Sequence, residues 1–306
     1  MTTPRAILSS LVTAVVALCA SISAATAEVL GQPTPWGLGF QQAASDTMAQ
    51  IRWFETYTLV IITAITLFVL ALLVWVVIRY RASANPTPSR TTHNTMIEVV
   101  WTIVPVLILV AIAFPSFRLL YNQTTIPEPD LTLKVIGGAW YWQYEYQDDA
   151  YADIGTITSN MLQDNARQER MEEYGLSEVD VPRLLAVDYP VVVPEGAVVH
   201  LLTTALDVNH AMAWPVLGVK ADSVVGRLNE SWFEATATGV FYGQCSQLCG
   251  QLHAFMPLEM RVVTQERFDE WAAAAKEDLD VARDLLLTWQ AEDAGVTQTP
   301  VAALSN

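Results

Sequence analysis

Cysteine and histidine are scarce: Cys19, Cys245 and Cys249 are the only three cysteines in 306 residues, and there are four histidines. So few cysteines exclude a disulfide-stapled scaffold, which needs several pairs in a short chain. No C-x-x-C-H occurs, so a covalently attached c-type haem is excluded. Basic residues are also thin, with 16 Lys and Arg against 32 Asp and Glu, a net charge of −16. A chain this acidic is not built to grip nucleic acid or an anionic surface. No internal repeat is present.

Two long stretches lack charge altogether. Residues 59–78 carry none and match the ~20 apolar residues a spanning helix needs. Residues 99–117 are similar, broken only by Pro105 and Pro115, which membrane helices tolerate. The segment between them, "RYRASANPTPSRTTHNTMI", has Arg79, Arg81 and Arg90 and no acid, so it belongs on the cytoplasmic side. The N-terminus shows Arg5, an apolar run over 6–20 and Ala25-Thr26-Ala27, the form of a secretory signal cleaved after Ala27. Cys19 leaves with it. Both arguments put the C-terminal portion, after the second helix, outside the cytoplasm. The expected order is a signal peptide at 1–27, an extracytoplasmic segment at 28–57, a two-helix hairpin at 58–118, a folded domain at 119–290 and a flexible tail at 291–306. Residues 119–306 hold 28 acids against 10 bases, a net of −18, which would steer a basic partner toward them.

From Leu131 the pattern becomes short β-branched and aromatic runs between turn residues: "LTLKVIGG", "AWYWQYEYQ", "YPVVVPEGAVVHLLTTA", "SWFEATATGVFYGQC" and "MPLEMRVV". Such runs at about ten-residue spacing predict a small antiparallel sandwich or barrel. Residues 163–181 interrupt it with a charge-dense segment, expected as a surface loop with a helical turn. "QERFDEWAAAAKEDLD" reads as a helix.

The loop "GQCSQLCGQLHAFMP" concentrates Cys245, Cys249, His253 and Met256. A disulfide is the default for a cysteine pair in an oxidising compartment. Thiolate, imidazole and thioether together form a soft set that selects copper, whereas zinc seldom uses Met. A mononuclear blue-copper site takes one Cys and two His, and this loop has the reverse. Two coppers bridged by both thiolates would account for the second cysteine and require a second histidine. His93 lies on the cytoplasmic side and His200 sits within a strand, leaving His210 in "DVNHAMAWP", at an expected loop position.

Taken with "THNTMIEVVWTIVPVLILV", "WYWQYEY" and "GVKADSVVGRLNESWF", this loop resembles subunit II of a bacterial haem–copper cytochrome c oxidase over nearly the whole chain. The resemblance implies a membrane α-hairpin carrying an all-β, cupredoxin-like Greek-key barrel with a binuclear CuA centre. It implies that Cys245 and Cys249 bridge the coppers, that His210 and Met256 complete one ion, and that His253 completes the other, with the Gln247 backbone carbonyl as a weak ligand. The family places glutamate at that position, where its carboxylate helps hold magnesium at the subunit I interface; Gln247 lacks the charge and leaves that contact open. Trp140 becomes the port for electrons from cytochrome c, although alternation groups it with Trp142, Tyr144 and Tyr146 on one strand face. Glu145, Asp148, Asp149, Asp188 and Asp207 become candidates for an acidic docking surface facing a basic cytochrome c. Thr95–Glu98 fits a capping box, and the resemblance gives Glu98 a second role at the mouth of a proton pathway.

The implied function is electron transfer from cytochrome c through CuA to haem a of subunit I, where oxygen is reduced to water with proton pumping. Implied partners are subunit I, subunit III, cytochrome c and membrane lipid, in the bacterial inner membrane with both termini and the copper domain on the periplasmic side. The alternative from another class is a membrane-anchored copper chaperone. Such a protein must release copper and usually has one anchor helix.

Overall fold

The computed structural model describes residues 30–35 and 37–295. The expected signal peptide and the tail from 296 onward lie outside the described residues. Two long helices come first, α1 (Asp46–Arg79) and α2 (Thr95–Thr124), each long and apolar enough to cross a membrane. Both extend beyond the apolar stretches, because polar turns carry them past the hydrocarbon. Ser45 caps α1, accepting from the Met48 N–H at 3.0 Å and donating to the Leu217 carbonyl at 2.7 Å. The helix start is thereby locked to the soluble part.

Helix α2 begins one residue earlier than the capping-box reading had it. Asn94 is the cap: its side chain accepts from the Ile97 N–H at 3.3 Å, while Glu98 reaches back to the Asn94 N–H at 3.2 Å. Asparagine accepts this bond as well as threonine does, so the two caps look alike in sequence. Pro115 lies inside the helix and cannot donate to the Ala111 carbonyl. The Tyr57 hydroxyl of α1 donates to that carbonyl instead, at 3.2 Å. An orphaned acceptor is costly in lipid, and here the neighbouring helix satisfies it.

The remainder is a cupredoxin-like β domain of strands β1 (Leu131–Gly138), β2 (Tyr141–Tyr146), β3 (Thr156–Ser159), β4 (Val191–Pro194), β5 (Val198–Ala205), β6 (His210–Trp214), β7 (Val219–Ser223), β8 (Asn229–Glu234), β9 (Gly239–Gln244) and β10 (Pro257–Val263). One sheet has the order β3-β2-β1-β5-β8, a second β4-β10-β9, and β6-β7 forms a ribbon. The expectation of purely antiparallel pairing is corrected: β1 runs parallel to β5, with Leu133 opposite Leu201, and β10 runs parallel to β4. The long connections between these partners allow the crossover that parallel strands require. Alternating residues of β1, β2 and β5 face a core that includes Trp142, Tyr144, Trp214, Phe233 and Phe241.

Residues 163–181 are more ordered than a surface loop. They contain a helix, α3 (Asp164–Tyr174), fixed by two buried arginines. Arg167 donates to the Val181 carbonyl at 3.0 Å and Arg170 to the Val187 carbonyl at 2.9 Å. Beneath them Glu259, wholly buried, accepts from the Val187 N–H at 2.9 Å and pairs with Arg261 at 2.6 Å. The single C-terminal helix expected from sequence is two, α4 (Gln265–Glu277) and α5 (Leu279–Asp293), separated at Asp278, which caps the second. Helix α5 continues past residue 290, where the tail was expected to begin, and Ala291 is buried.

Candidate metal centre

Three connections meet at one end of the β domain: the β1–β2 turn, the β5–β6 loop and the long β9–β10 loop. His210 opens β6 rather than sitting in a loop, and it is fully buried. Its ring fits because Gly137 of β1 has no side chain; a Cβ there would lie 2.9 Å from three His210 atoms. The β9–β10 loop is drawn to the same point by the Ser246 N–H, which donates to the Ala211 carbonyl at 2.9 Å.

The donors converge. Both cysteines are free and buried, with sulfurs 3.9 Å apart, far longer than the ~2.05 Å of a disulfide. His210 Nδ1 lies 3.9 Å from Cys245 Sγ, and His253 Nδ1 lies 3.5 Å from Cys249 Sγ. Met256 Sδ is 3.5 Å from Cys249 Sγ, and the Gln247 carbonyl is 3.3 Å from Cys245 Sγ. The donor atoms of His210, Cys245 and Cys249 all fall within 4.8 Å of one another. Burial, and then the neighbouring Cys245, push the Cys249 thiol up to about 12. A buried thiol as reluctant to ionise as Cys249 becomes a thiolate readily only beside a cation. The chemistry of the donors fits a soft transition metal.

Surrounding groups hold the donors in place. Trp142 donates from its indole to the Met256 carbonyl at 3.0 Å and meets the His210 ring edge-on at 6.0 Å. Trp140 leaves the expected strand face, lying half-buried in the β1–β2 turn, while Trp142, Tyr144 and Tyr146 are buried in β2. Its indole donates to the Cys249 carbonyl at 3.2 Å.

The candidate docking acids separate. Asp207 accepts from the Ala139 N–H at 2.7 Å and lies 3.1 Å from His210 Nε2, so its carboxylate orients a donor imidazole. Burial works to raise its pKa, but bonds from His210, Val208 N–H and Ala139 N–H prevail and hold it below the ordinary value. An Asp three residues before a candidate ligand histidine was the available sequence signal for this role. Asp188, near the same end, clamps Asn160 and the Tyr189 N–H. Glu145 pairs with Lys134 at 2.9 Å. Asp148 accepts from the Thr132 N–H at 2.8 Å, and it and exposed Asp149 follow the far end of β2, about 25 Å along the strand from Trp140. Glu98 stands apart, about 40 Å along α2 from the helix end that joins the β domain. His200 faces Glu230 at 3.3 Å, away from the donor cluster.

Known proteins resemble this chain over most of its length. Residues 131–263 match the family described as cytochrome c oxidase subunit II, periplasmic domain, and residues 33–119 match its transmembrane domain. A probable cytochrome c oxidase subunit 2 of Rickettsia bellii is 46% identical over 243 residues, covering 79% of this chain and 86% of the relative. Cytochrome c oxidase subunit 2 of Cereibacter sphaeroides is 44% identical over 253 residues, covering 81% and 84%. Among solved structures, the periplasmic domain of subunit II of cytochrome oxidase of Bradyrhizobium japonicum is 42% identical, with a TM-score of 0.43 over 51% of this chain and 99% of that one.

Proposed function

The chain belongs to the cytochrome c oxidase subunit II family, and on that footing we propose that it is the subunit through which a haem–copper oxidase receives its electrons. The observation that carries this reading is the convergence of two unpaired thiols with two imidazoles and a thioether in one loop cluster. In this reading Cys245 and Cys249 would be shared by the two ions of a CuA pair, and His210, His253, Met256 and the Gln247 carbonyl would complete its hold. Two copper ions so held would supply one-electron redox chemistry with the charge change shared between them.

The residues of the chain do the rest. Trp140 offers a half-exposed ring to cytochrome c and is joined to the ligand loop by its bond to the Cys249 carbonyl. Trp142 excludes water and steadies the Met256 turn. Asp207 holds one His210 tautomer, with Nδ1 toward Cys245. A scaffold fixed this way moves little when its charge changes, which suits rapid relay. Electrons then pass to haem a of subunit I for reduction of oxygen to water with proton pumping, Glu98 standing at the cytoplasmic mouth of a proton route. At Gln247 the loop offers a magnesium ion a neutral amide rather than a carboxylate.

The membrane-anchored hairpin in this proposal lies in the inner membrane, with the copper domain on the periplasmic side, beside subunits I and III and lipid. Membership of the family sets aside the copper-chaperone alternative. Copper analysis of the solubilised full chain tests the site: two ions per chain are expected, and one would contradict the bridged pair.

A further inference from the structure

The folded domain carries ten Lys and Arg side chains between residues 119 and 306. Eight of them are occupied. Lys134, Arg183, Arg261, Arg267 and Arg283 form ion pairs with acids. Arg167 and Arg170 are consumed by backbone carbonyls, and Lys276 lies 5.8 Å from the Tyr151 ring centre. The two left, Lys220 and Arg227, are exposed and have no side-chain partner among the described residues. In a domain with a net charge of −18, acids to pair with are abundant. Yet both free cations line the same cleft of about 930 Å³.

That cleft lies between the β domain and the membrane hairpin, for Thr47 of α1 and Gln123 and Thr124 of α2 form its other wall. A third donor borders it. The indole N–H of Trp232 is cut off from solvent and has no acceptor. A buried donor without an acceptor carries an unrelieved desolvation penalty, which an acceptor polarising the cleft wall would reduce. Two unpartnered cations, from β7 and the β7–β8 loop, thus face one space, with the unsatisfied Trp232 indole of β8 in its wall.

We infer that this cleft is the seat of an anionic acceptor group, a carboxylate, presented by the membrane-embedded haem-bearing subunit that packs against the hairpin. A protein surface fits better than a lipid phosphate. Asp222 and Glu230 share the lining, so an occupant must bring donors for them as well as a carboxylate for the cations. A protein surface can do so and a lone phosphate cannot, while Leu228, 51% exposed, offers an apolar contact beside them. Mixed charge with an apolar neighbour is what a protein partner can match residue by residue. The inference rests on the chain's place in an oxidase and is independent of the copper assignment.

The test uses the oxidase complex purified with either the wild-type chain or Lys220→Gln/Arg227→Gln. The reading is haem retained per chain as potassium chloride is raised, with the copper spectrum recorded alongside. The double variant is expected to release the haem subunit at lower salt and at least about tenfold faster, because a lost partner in a buried charged contact raises the off-rate. Lys220→Arg/Arg227→Lys should retain it, and so should Arg283→Gln, whose cation is already paired. Trp232→Phe should weaken retention by a smaller factor. Unchanged retention in the double variant, or equal loss in Arg283→Gln, overturns the inference. Flotation of the full chain with phosphatidylglycerol vesicles supplies the other arm: if the double variant loses lipid binding but keeps its haem subunit, the cleft serves lipid and the inference fails. The copper spectrum reports separately on the proposed function.

Discussion

The indole N–H of Trp140 donates to the backbone carbonyl of Cys249 at 3.2 Å, across 109 positions of sequence. A half-exposed aromatic ring is therefore one hydrogen bond from the loop that carries the thiols. Gly250 makes the approach possible: its φ is +126°, and a Cβ there would lie 2.9 Å from the Trp140 ring. Trp140→Phe keeps an aromatic surface but loses the bond, whereas Trp140→Ala loses both. Single-turnover electron uptake from cytochrome c is expected to fall in that order, with affinity for cytochrome c little changed. Equal rates in all three proteins would reduce Trp140 to a packing residue.

Asp207 was expected on a docking surface and is found holding His210. Loss of such a partner typically costs about 10–100-fold in metal affinity. Asp207→Asn should therefore give up copper to a competing chelator at least about tenfold more readily than wild type, while Asp149→Asn should not. The carboxyl titrates below its ordinary value in the folded chain. Its stabilising contribution is thus complete above the unfolded value of about 3.9 and is lost as the pH falls through the lower folded value. Acid unfolding of the metal-free chain should show that contribution missing in Asp207→Asn.

Glu259 has no side-chain exposure, and its partner Arg261 has 6%. Removing one member leaves a buried charge without its counterpart, which costs about 3–5 kcal/mol. Glu259→Ala should lower the unfolding free energy by that amount, read from denaturant titration, and Arg170→Met, which frees α3 from the Val187 carbonyl, should weaken the insertion too. A Glu259→Ala chain as stable as wild type would mean that the pair is dispensable.

Docking to a basic cytochrome c should depend on salt. The Debye length falls from about 30 Å at 0.01 M to about 10 Å at 0.1 M ionic strength, so the association rate measured by stopped flow should drop across that range. Asp148 and Asp149 lie about 25 Å along β2 from Trp140, and neutralising them should leave the slope near 0.1 M almost unchanged. A large flattening would place the docking face at the far end of the hairpin.

Much of this was legible in the sequence because particular residues admit few environments. Runs such as "LTLKVIGG" alternate cleanly, and β1 begins and ends where the pattern does. Strands β3, β6 and β7 escaped notice because they are four or five residues long and lie beside Pro215, Gly155 or Gly218. The insertion read as solvated because its arginines look like surface charges; only the fold shows Arg167 and Arg170 turned inward onto carbonyls. The cysteine loop was the easiest element to interpret, since two Cys, a His and a Met so close together have few uses. The tie between Asp207 and His210 was harder, because a short acidic side chain on a loop equally suits a solvated surface.

The bridged copper pair is the central claim, and electron paramagnetic resonance of the copper-loaded full chain tests it most directly. One unpaired electron shared equally by two copper nuclei is expected in the wild-type protein, and Cys249→Ser should abolish that shared signal by removing one bridge. A spectrum from a single localised copper, or a shared signal that survives Cys249→Ser unaltered, would contradict the account.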